Sequence, residues 1–253
     1  MNILICNDDG IEAPGIEALY KVACEFGTVT VAAPDGERSA AGHAITIGKP
    51  IRTRRIEKDG KFFGTAIDGT PADCVKLALN ALMDKPADLV LSGINLGSNT
   101  GISTIYSGTV AAAREGVVHN IPSIAFSSCS YQTPHFETSA RVARKVLEQV
   151  AEHGLPGHTL LNVNIPGVPV EKLKGIRAAS MGQSRWIEKF HARKDPFGND
   201  YYWLDGEQEI LDDGENVDIN LVANNIAAVT PIQLNLTDSD QLSAISHWNF
   251  STP

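Results

Sequence analysis

Short apolar runs alternate with amphipathic segments over the first two-thirds of the chain. Apolar side chains spaced three and four residues apart indicate helices, as at Ile16, Leu19 and Ala23. By these patterns the sequence predicts strands at 3–6, 28–33, 88–92, 123–126 and 160–164, and helices from about 14, from 70, at 109–118 and at 137–152. Because short buried strands separated by helices form a sheet covered on both faces, we predict an α/β fold with a mostly parallel sheet.

Turn and capping residues define two further local features. Asp59-Gly60 lies between the β-rich segments 51–56 and 62–67 and predicts a hairpin. Thr70 and Asp73 are placed to cap the following helix reciprocally, with Pro71 at its first position.

The pattern changes after Pro166. Segments 176–179, 185–193 and 201–204 are β-rich, a turn is expected at 195–198, and a helix is expected at 238–248. Six of the sixteen aromatic residues lie between Trp186 and Trp203. They either stack on bases or, as we favour, pack in a core or a subunit interface. We therefore predict a single domain with a core at 1–166, a β extension that serves oligomerisation at 167–235 and a C-terminal helix at 236–253.

Composition and charge narrow the function classes. The 253 residues carry 21 basic and 30 acidic side chains, a net charge of −9, which excludes a binder of nucleic acid polymers with a basic surface. No apolar run is long enough to span a bilayer, and the first residues lack the basic flank of a signal peptide. Cys6, Cys24, Cys74 and Cys129 show no C-x-x-C spacing, so we expect buried, reduced thiols in a cytoplasmic protein.

Polar clusters follow three of the predicted strands. Asp8 and Asp9 come directly after the first strand, and Gly10 permits the turn that would make them converge. Two convergent carboxylates repel each other unless a cation or a proton lies between them, and hard divalent cations prefer oxygen ligands. The competing interpretation is that these residues only form the turn and cap the next helix.

The second cluster is the loop 34–43, which follows the second strand. Small residues surround Ser39, Arg38 could bind an anion, and His43 could act as an acid or a base. A plain surface loop is the alternative.

The third cluster is the long uncharged loop from Ser92 to Thr109, which is rich in Gly, Ser, Asn and Thr. Amide and hydroxyl groups before a helix form an anion site, because the first N–H groups of the helix lack partners. Ser107 as a simple N-cap is the alternative. The chain has no P-loop lysine, no Gly-x-Gly-x-x-Gly after the first strand and no His-Glu-x-x-His, so the common nucleotide and zinc motifs are excluded.

Together the clusters predict a metal site beside a phosphate cradle. Asp8, Asp9, Ser39 and Asn95 offer carboxylate, hydroxyl and amide oxygens for one Mg²⁺ or Mn²⁺ ion. Such an ion would polarise a phosphoryl oxygen and lower the pKa of a bound water. The negative net charge therefore argues against a polyanion bound along an extended groove. It does not argue against a small phosphate bound at a single cation, because the cation reverses the local charge.

The same motifs resemble the survival protein E (SurE) family. They are Asn7-Asp8-Asp9-Gly10, Glu37-Arg38-Ser39, the segment from Gly69 to Val75, Ser92-Gly93-Ile94-Asn95, the segment from Tyr106 to Ala113, and the segment from Asn162 to Pro166, in the family's order. The resemblance implies a Rossmann-like sheet with a C-terminal β extension that is exchanged between subunits, giving a homodimer or a homotetramer. It also implies a metal-dependent 5′-nucleotidase, with metal ligands at the positions matching Asp8, Asp9, Ser39 and Asn95. Some members also act on nucleoside 3′-monophosphates or short polyphosphate.

A nucleotidase acting on nucleoside 5′-monophosphates is therefore the preferred hypothesis. Asp8 or Asp9 would accept the proton of a metal-activated water, with His43 as the alternative base. The phosphate contacts would be Asn95, Ser103, Ser107, Gly108 and Thr109. A metal-dependent deacetylase is a second hypothesis, although it normally requires several histidines near the aspartate pair and none lies close in sequence. A nucleotide sensor that binds without turnover is the third.

Overall fold

The computed structural model describes residues 1–250 as an α/β fold. Its strands are β1 (Asn2–Cys6), β2 (Thr28–Pro34), β3 (Thr53–Lys58), β4 (Lys61–Ile67), β5 (Leu89–Leu96), β6 (Ser123–Cys129), β7 (Leu160–Pro166), β8 (Gly175–Ala178), β9 (Ser184–Lys194), β10 (Asp200–Ile210) and β11 (Ile226–Ile232). Its helices are α1 (Pro14–Ala23), α2 (Pro71–Leu77), α3 (Ser103–Tyr106), α4 (Gly108–Val118), α5 (Phe136–His153), α6 (Asp218–Ala223) and α7 (Ser239–Ile245). A π-helical turn at Ala78–Leu82 continues α2, and a 3₁₀ turn lies at Val170–Lys172.

Nine strands form one sheet in the order β3-β4-β2-β1-β5-β6-β7-β11-β8. The pairs from β4 through β7 are all parallel, whereas β3 pairs with β4 and β11 pairs with β7 in the antiparallel sense. The chain runs outward from β1 through β2 to β4, then returns to β5 on the other side of β1. This reversal places a topological switch point between β1 and β5, which is where ligands bind in open α/β sheets.

Helices cover both faces of the sheet, as predicted. Helices α1 and α5 pack together on one face, and α2 and α4 pack together on the other. The central strands are apolar and fully buried, with Ile3, Leu4 and Ile5 inaccessible to solvent. Burial on both faces explains why these strands are continuous apolar runs rather than alternating ones.

The local predictions are confirmed. Asp59 and Gly60 both adopt positive φ between β3 and β4, as a two-residue hairpin turn requires. The Thr70 hydroxyl accepts the N–H of Asp73 at 3.1 Å, and the Asp73 carboxylate accepts the N–H of Thr70 at 2.9 Å. Gly154 ends α5 at positive φ.

Several boundaries differ from the predictions. Strand β5 continues to Leu96, beyond the expected end at 92, because β6 pairs with it again at Asn95 and Leu96 after an irregularity in register. Strand β10 continues to Ile210, and α3, α6 and β11 were not predicted. Helix α7 begins after the N-cap Asp238, as expected, but it ends at Ile245, before the expected end at 248. Residues 251–253 of the predicted C-terminal helix region lie outside the described residues.

The β extension is a two-stranded hairpin, β9–β10, separate from the main sheet. Its aromatic side chains do not pack in a core: Phe190, Tyr202 and Trp203 are each more than half exposed. The prediction of a core position is therefore wrong, and the subunit interface stays a prediction. Buried Asp218 accepts the N–H groups of Gly101 at 3.0 Å and of Gly182 at 2.9 Å, which fixes the base of the hairpin against the loop after β5.

The cysteine prediction holds only in part. All four thiols are free, and Cys6 and Cys74 are buried, but Cys24 is exposed because it lies just beyond the C-terminal end of α1. Over residues 1–250, no helix combines the length and the apolar character needed to cross a bilayer.

Candidate active site

The two carboxylates that follow β1 lie at the switch point. Asp8 is 5% exposed, and its Oδ1 accepts a short hydrogen bond from the Thr109 hydroxyl. The Oδ2 of Asp9 accepts the backbone N–H of Leu96 at 3.1 Å, so the end of β5 holds the second carboxylate. The charge of Asp8 acts on Asp9, as the pKa of Asp9 shows, which is consistent with the prediction that the two carboxylates converge.

Burial raises the pKa of Asp8, a rise that the hydrogen bonds from Thr109 partly offset. Burial and the neighbouring charge of Asp8 raise the pKa of Asp9 to about 6. Within the described part of the chain, no basic side chain forms an ion pair with either carboxylate or lowers its pKa. One buried and one half-buried carboxylate without a protein counter-charge favour a bound cation.

Asn95 and Ser39 supply neutral oxygens beside this pair. The Asn95 amide nitrogen donates to the carbonyl of Gly97 at 2.9 Å, which leaves Oδ1 as an acceptor for a cation. Ser39 lies on the loop after β2, and its hydroxyl donates to the Glu37 carboxylate at 2.6 Å while keeping its lone pairs. The backbone N–H of Arg38 donates to the Asp8 carbonyl at 2.7 Å and so ties this loop to the carboxylates.

A cavity of about 500 Å³ joins these residues. Asp8, Ser39, Asn95, Ser103 and Ser107 all line it, which brings five of the predicted site residues together. Asp9 lies beside the cavity rather than on its surface, since it is not among the lining residues.

Gly108 and Thr109 lie behind Asp8 rather than on the cavity. Thr109 is fully buried and directs both its hydroxyl and its backbone N–H at the Asp8 carboxylate. A Cβ atom at Gly108 would lie 2.8 Å from the Asp8 Cβ, so only glycine lets the carboxylate approach the start of α4 this closely. The structure thus gives both residues a role in holding Asp8, and their predicted contact with phosphate stays a prediction.

The donor set fits a hard divalent cation. Two carboxylates, one hydroxyl and one amide oxygen are the ligands that Mg²⁺ and Mn²⁺ prefer. Among residues 1–250 no group of three or more His, Cys, Asp or Glu side chains could hold a metal ion. The proposed donor set contains two such side chains, Asp8 and Asp9, and is completed by Ser39 and Asn95.

The second predicted cluster contributes less to the cavity than expected. Arg38 pairs with Asp35 at 2.8 Å, and His43 contacts Glu115 at 2.9 Å. Neither Arg38 nor His43 lines the cavity. Of the three predicted proton acceptors, Asp8 lines the cavity, whereas Asp9 and His43 do not.

The far wall of the cavity was missed by sequence reasoning. It consists of aromatic, apolar and acidic residues of the hairpin, of α3 and of the loop after β6, namely Tyr106, Tyr131, Trp186, Glu188, Leu204 and Asp205. The clustering of aromatics after Trp186 was the only signal, and it did not indicate that the hairpin covers a site near residue 8.

A buried amide network supports the loop after β5 and was also missed. The backbone N–H of Asn99 donates to Asn164 Oδ1 at 2.9 Å, and Asn162 donates to the Asn99 carbonyl at 2.8 Å. The Asn99 side chain donates to the Ser127 hydroxyl at 2.8 Å. The signal was available in Asn162-Val163-Asn164, where polar residues two apart in a buried strand lie on one face.

The chain is similar to known proteins over nearly its whole length. The family model described as Survival protein SurE matches residues 3–188. A 5′-nucleotidase SurE from Chlorobium chlorochromatii (strain CaD3) is 46% identical over 247 residues, which is 98% of this chain and 91% of that protein. A 5′-nucleotidase SurE from Carboxydothermus hydrogenoformans is 45% identical and covers 98% and 96% of the two chains. The crystal structure of the SurE protein from Aquifex aeolicus matches with a TM-score of 0.83 at 39% identity over 97% of this chain and 98% of that one.

Proposed function

The chain belongs to the survival protein SurE family, and from that premise we propose that it is a phosphomonoester hydrolase acting on nucleoside 5′-monophosphates. The observation that supports this proposal is the pair of carboxylates at the switch point, buried Asp8 and half-buried Asp9, without a basic partner beside a cavity. Uncharged hydroxyl and amide groups line the near wall, and aromatic side chains line the far wall. A phosphate suits the first wall and a nucleobase suits the second.

Four residues would hold one divalent cation, with Mg²⁺ or Mn²⁺ as the proposed metal. Asp8 and Asp9 supply the charge, and Ser39 and Asn95 supply neutral oxygens. When bound, such a cation polarises phosphoryl oxygens and acidifies water. Burial and the charge of Asp8 raise the pKa of Asp9 to about 6 in the metal-free chain, and Asp8 or Asp9 would accept the proton of the attacking water.

Two serines would bind the phosphate: Ser107 at the N-cap of α4 and Ser103 at the start of α3. The Ser107 hydroxyl accepts the N–H of Val110 at 3.1 Å, so its own proton remains available to a phosphate oxygen. Ser103 and Asn95 line the same cavity. In this arrangement Thr109 and Gly108 position Asp8, and their contact with the phosphate stays a prediction.

The finer attributes remain part of the proposal. Activity on 3′-monophosphates and short polyphosphate is proposed as secondary, since Glu188 and Asp205 place negative charge on the far wall. The exposed aromatic hairpin β9–β10 supports a homodimer or homotetramer in which residues 167–235 mediate assembly. Reduced cysteines support a cytoplasmic location.

Phosphate release from a panel of nucleotides tests the function. Metal-free protein is supplied with Mg²⁺, Mn²⁺ or Co²⁺ and with AMP, 3′-AMP, tripolyphosphate and an N-acetylated sugar. We expect hydrolysis of AMP in the presence of metal and none after chelation. Asp9→Asn should nearly abolish turnover while the fold survives, because it removes a ligand charge with little change in volume.

Asp59→Asn is the matched control, since it removes one carboxylate at a remote hairpin turn where asparagine tolerates the positive φ. Equal AMP hydrolysis with and without chelator would contradict the proposal. Deacetylation without phosphate release would support the deacetylase, and tight AMP binding without turnover in every metal would support the sensor.

A further inference from the structure

Ser39 is the proposed metal ligand with the least support from regular structure. It is exposed and lies on the irregular loop between β2 and β3, whereas Asp8 and Asn95 lie at or next to the ends of central strands. A ligand on such a loop binds a cation well only if the loop is held in place before binding. On the N-terminal side of Ser39 the N–H of Arg38 ties the loop to the Asp8 carbonyl at 2.7 Å. The contacts on the C-terminal side bear on the proposed metal site, on which this inference rests.

A buried carboxylate lies within reach of the loop. Glu115, in the middle of α4, is only 3% exposed. Its Oε1 accepts from Lys76 at 2.6 Å, and its Oε2 lies 2.9 Å from Nε2 of His43. His119, one turn further along α4, contacts Oε1 at 3.3 Å.

The direction of the His43 contact follows from the charge of Glu115. Burial opposes ionisation, but the hydrogen bonds from His43 and Lys76 outweigh it and lower the pKa of Glu115 to about 2. An ionised carboxylate can only accept, so the Nε2–H of His43 must donate. A charge-assisted bond of this kind is among the stronger contacts that a surface loop can make.

His43 lies four residues beyond Ser39 in the same loop. Two other contacts mark the course of this segment: the N–H of Gly42 donates to the Tyr106 carbonyl at 3.0 Å, and the N–H of Thr46 donates to Asp73 at 2.8 Å. Helix α4 therefore contacts both segments that carry these proposed ligands. Thr109, in its first turn, donates to Asp8, and Glu115, further along the helix, accepts from His43 in the loop that carries Ser39.

We propose that His43 is a positioning residue, whose bond to Glu115 on α4 holds the loop so that Ser39 faces the same cation as Asp8. The alternative role, a general base, would require His43 to reach the cavity. His43 instead contacts a carboxylate that does not line the cavity. Removing the imidazole should therefore weaken metal binding before it affects the chemical step.

The test compares three variants of the full chain. His43→Ala removes the donor, and His43→Gln restores an N–H group of similar reach. His119→Ala is the matched control, because it removes a histidine from the same carboxylate but one that belongs to α4 itself. Two readouts are used: Mn²⁺ affinity, from the electron paramagnetic resonance signal of free Mn²⁺, and amide hydrogen exchange of the metal-free protein.

We expect His43→Ala to weaken Mn²⁺ binding by at most about tenfold, the lower end of the loss that follows removal of a residue bonded directly to a metal ligand. His43→Gln should recover most of this affinity, and His119→Ala should resemble wild type. In metal-free His43→Ala the amide of Gly42 should lose protection, whereas the amide of Thr46 should not, because Asp73 holds it independently.

Wild-type Mn²⁺ affinity and Gly42 protection in His43→Ala would overturn the inference. Loss of turnover in both His43 variants at saturating Mn²⁺, with metal affinity intact, would instead make His43 a catalytic base. Failure of the wild-type protein to bind Mn²⁺ would contradict the proposed metal site itself, so the two failures are distinguishable.

Discussion

The bond between Thr109 and Asp8 offers the sharpest test of how the site is built. Thr109→Val keeps the shape of the side chain and removes only the hydroxyl that donates to Asp8 Oδ1. Thr109 is fully buried and Asp8 nearly so, so water cannot replace the lost donor without a rearrangement. The substitution therefore isolates the contribution of one hydrogen bond to a carboxylate.

The expected magnitude follows from that burial. A hydrogen bond to a charged group contributes about 1.5–3 kcal/mol net, and each 1.4 kcal/mol changes an equilibrium about tenfold. The Thr109 hydroxyl lowers the pKa of Asp8 against the effect of burial, so its loss favours the protonated carboxyl, which cannot serve as a charged ligand. We expect Mn²⁺ affinity near neutral pH to fall about tenfold or more.

Isothermal titration of metal-free protein with Mn²⁺ measures this change, and circular dichroism verifies the fold. Thr109→Ser is the control, since it keeps the hydroxyl and should bind nearly as well as wild type. If Thr109→Val and wild type bound Mn²⁺ equally, Asp8 would not be the charged ligand that the structure indicates.

Three further predictions follow from the same region. Gly108→Ala would place a methyl group 2.9 Å from Oδ2 of Asp8; the carboxylate must move, and a displacement of about 1 Å lowers turnover of AMP about a hundredfold. The pKa of Asp9 is about 6 in the folded, metal-free protein and lower in the unfolded chain, so the folded state takes up a proton first as the pH falls. The free energy of unfolding of wild type, measured in urea, should therefore rise relative to that of Asp9→Asn between about pH 7.5 and pH 5. Glu188→Gln combined with Asp205→Asn should raise hydrolysis of tripolyphosphate relative to AMP, most strongly at low salt, because the far wall no longer repels additional phosphates.

Each of these three predictions has a control or an outcome that would contradict it. Gly36→Ala adds a methyl group that meets nothing within 4 Å, so it should leave turnover unchanged. If the free energies of unfolding of wild type and Asp9→Asn changed in parallel with pH, the pKa of Asp9 would not be raised in the metal-free protein. An unchanged ratio of tripolyphosphate to AMP hydrolysis in the double variant would remove Glu188 and Asp205 from the selection of substrate.

Local features were predictable from the sequence because their determinants are close in the chain. The capping box at Thr70 and Asp73 and the turn at Asp59-Gly60 depend on residues at most three apart, and both form as expected. A cation site at the carboxylates after β1 could also be predicted from the sequence, because two acidic side chains that converge at a strand end require a cation or a proton between them.

Features that depend on distant partners were not predictable. The continuation of β5 to Leu96 depends on pairing with β6, and the polar composition of that segment indicated a loop. Glu115 was not singled out, since nothing in a helical sequence indicates that His43 and Lys76 will meet its carboxylate. The far wall belongs to a hairpin that comes late in the chain, and only the fold brings Trp186 to the cavity near Asp8.

The separation of the site residues along the chain has a consequence for how the protein matures. The hydrogen bond at Asp9 spans 87 residues, and the one at Asp8 spans 101. A nascent chain therefore contains no binding site until α4 has left the ribosome and β5 has docked beside β1. The cation can join only a sheet that is already assembled, so metal starvation should leave a reservoir of folded, idle protein that regains activity on resupply without refolding.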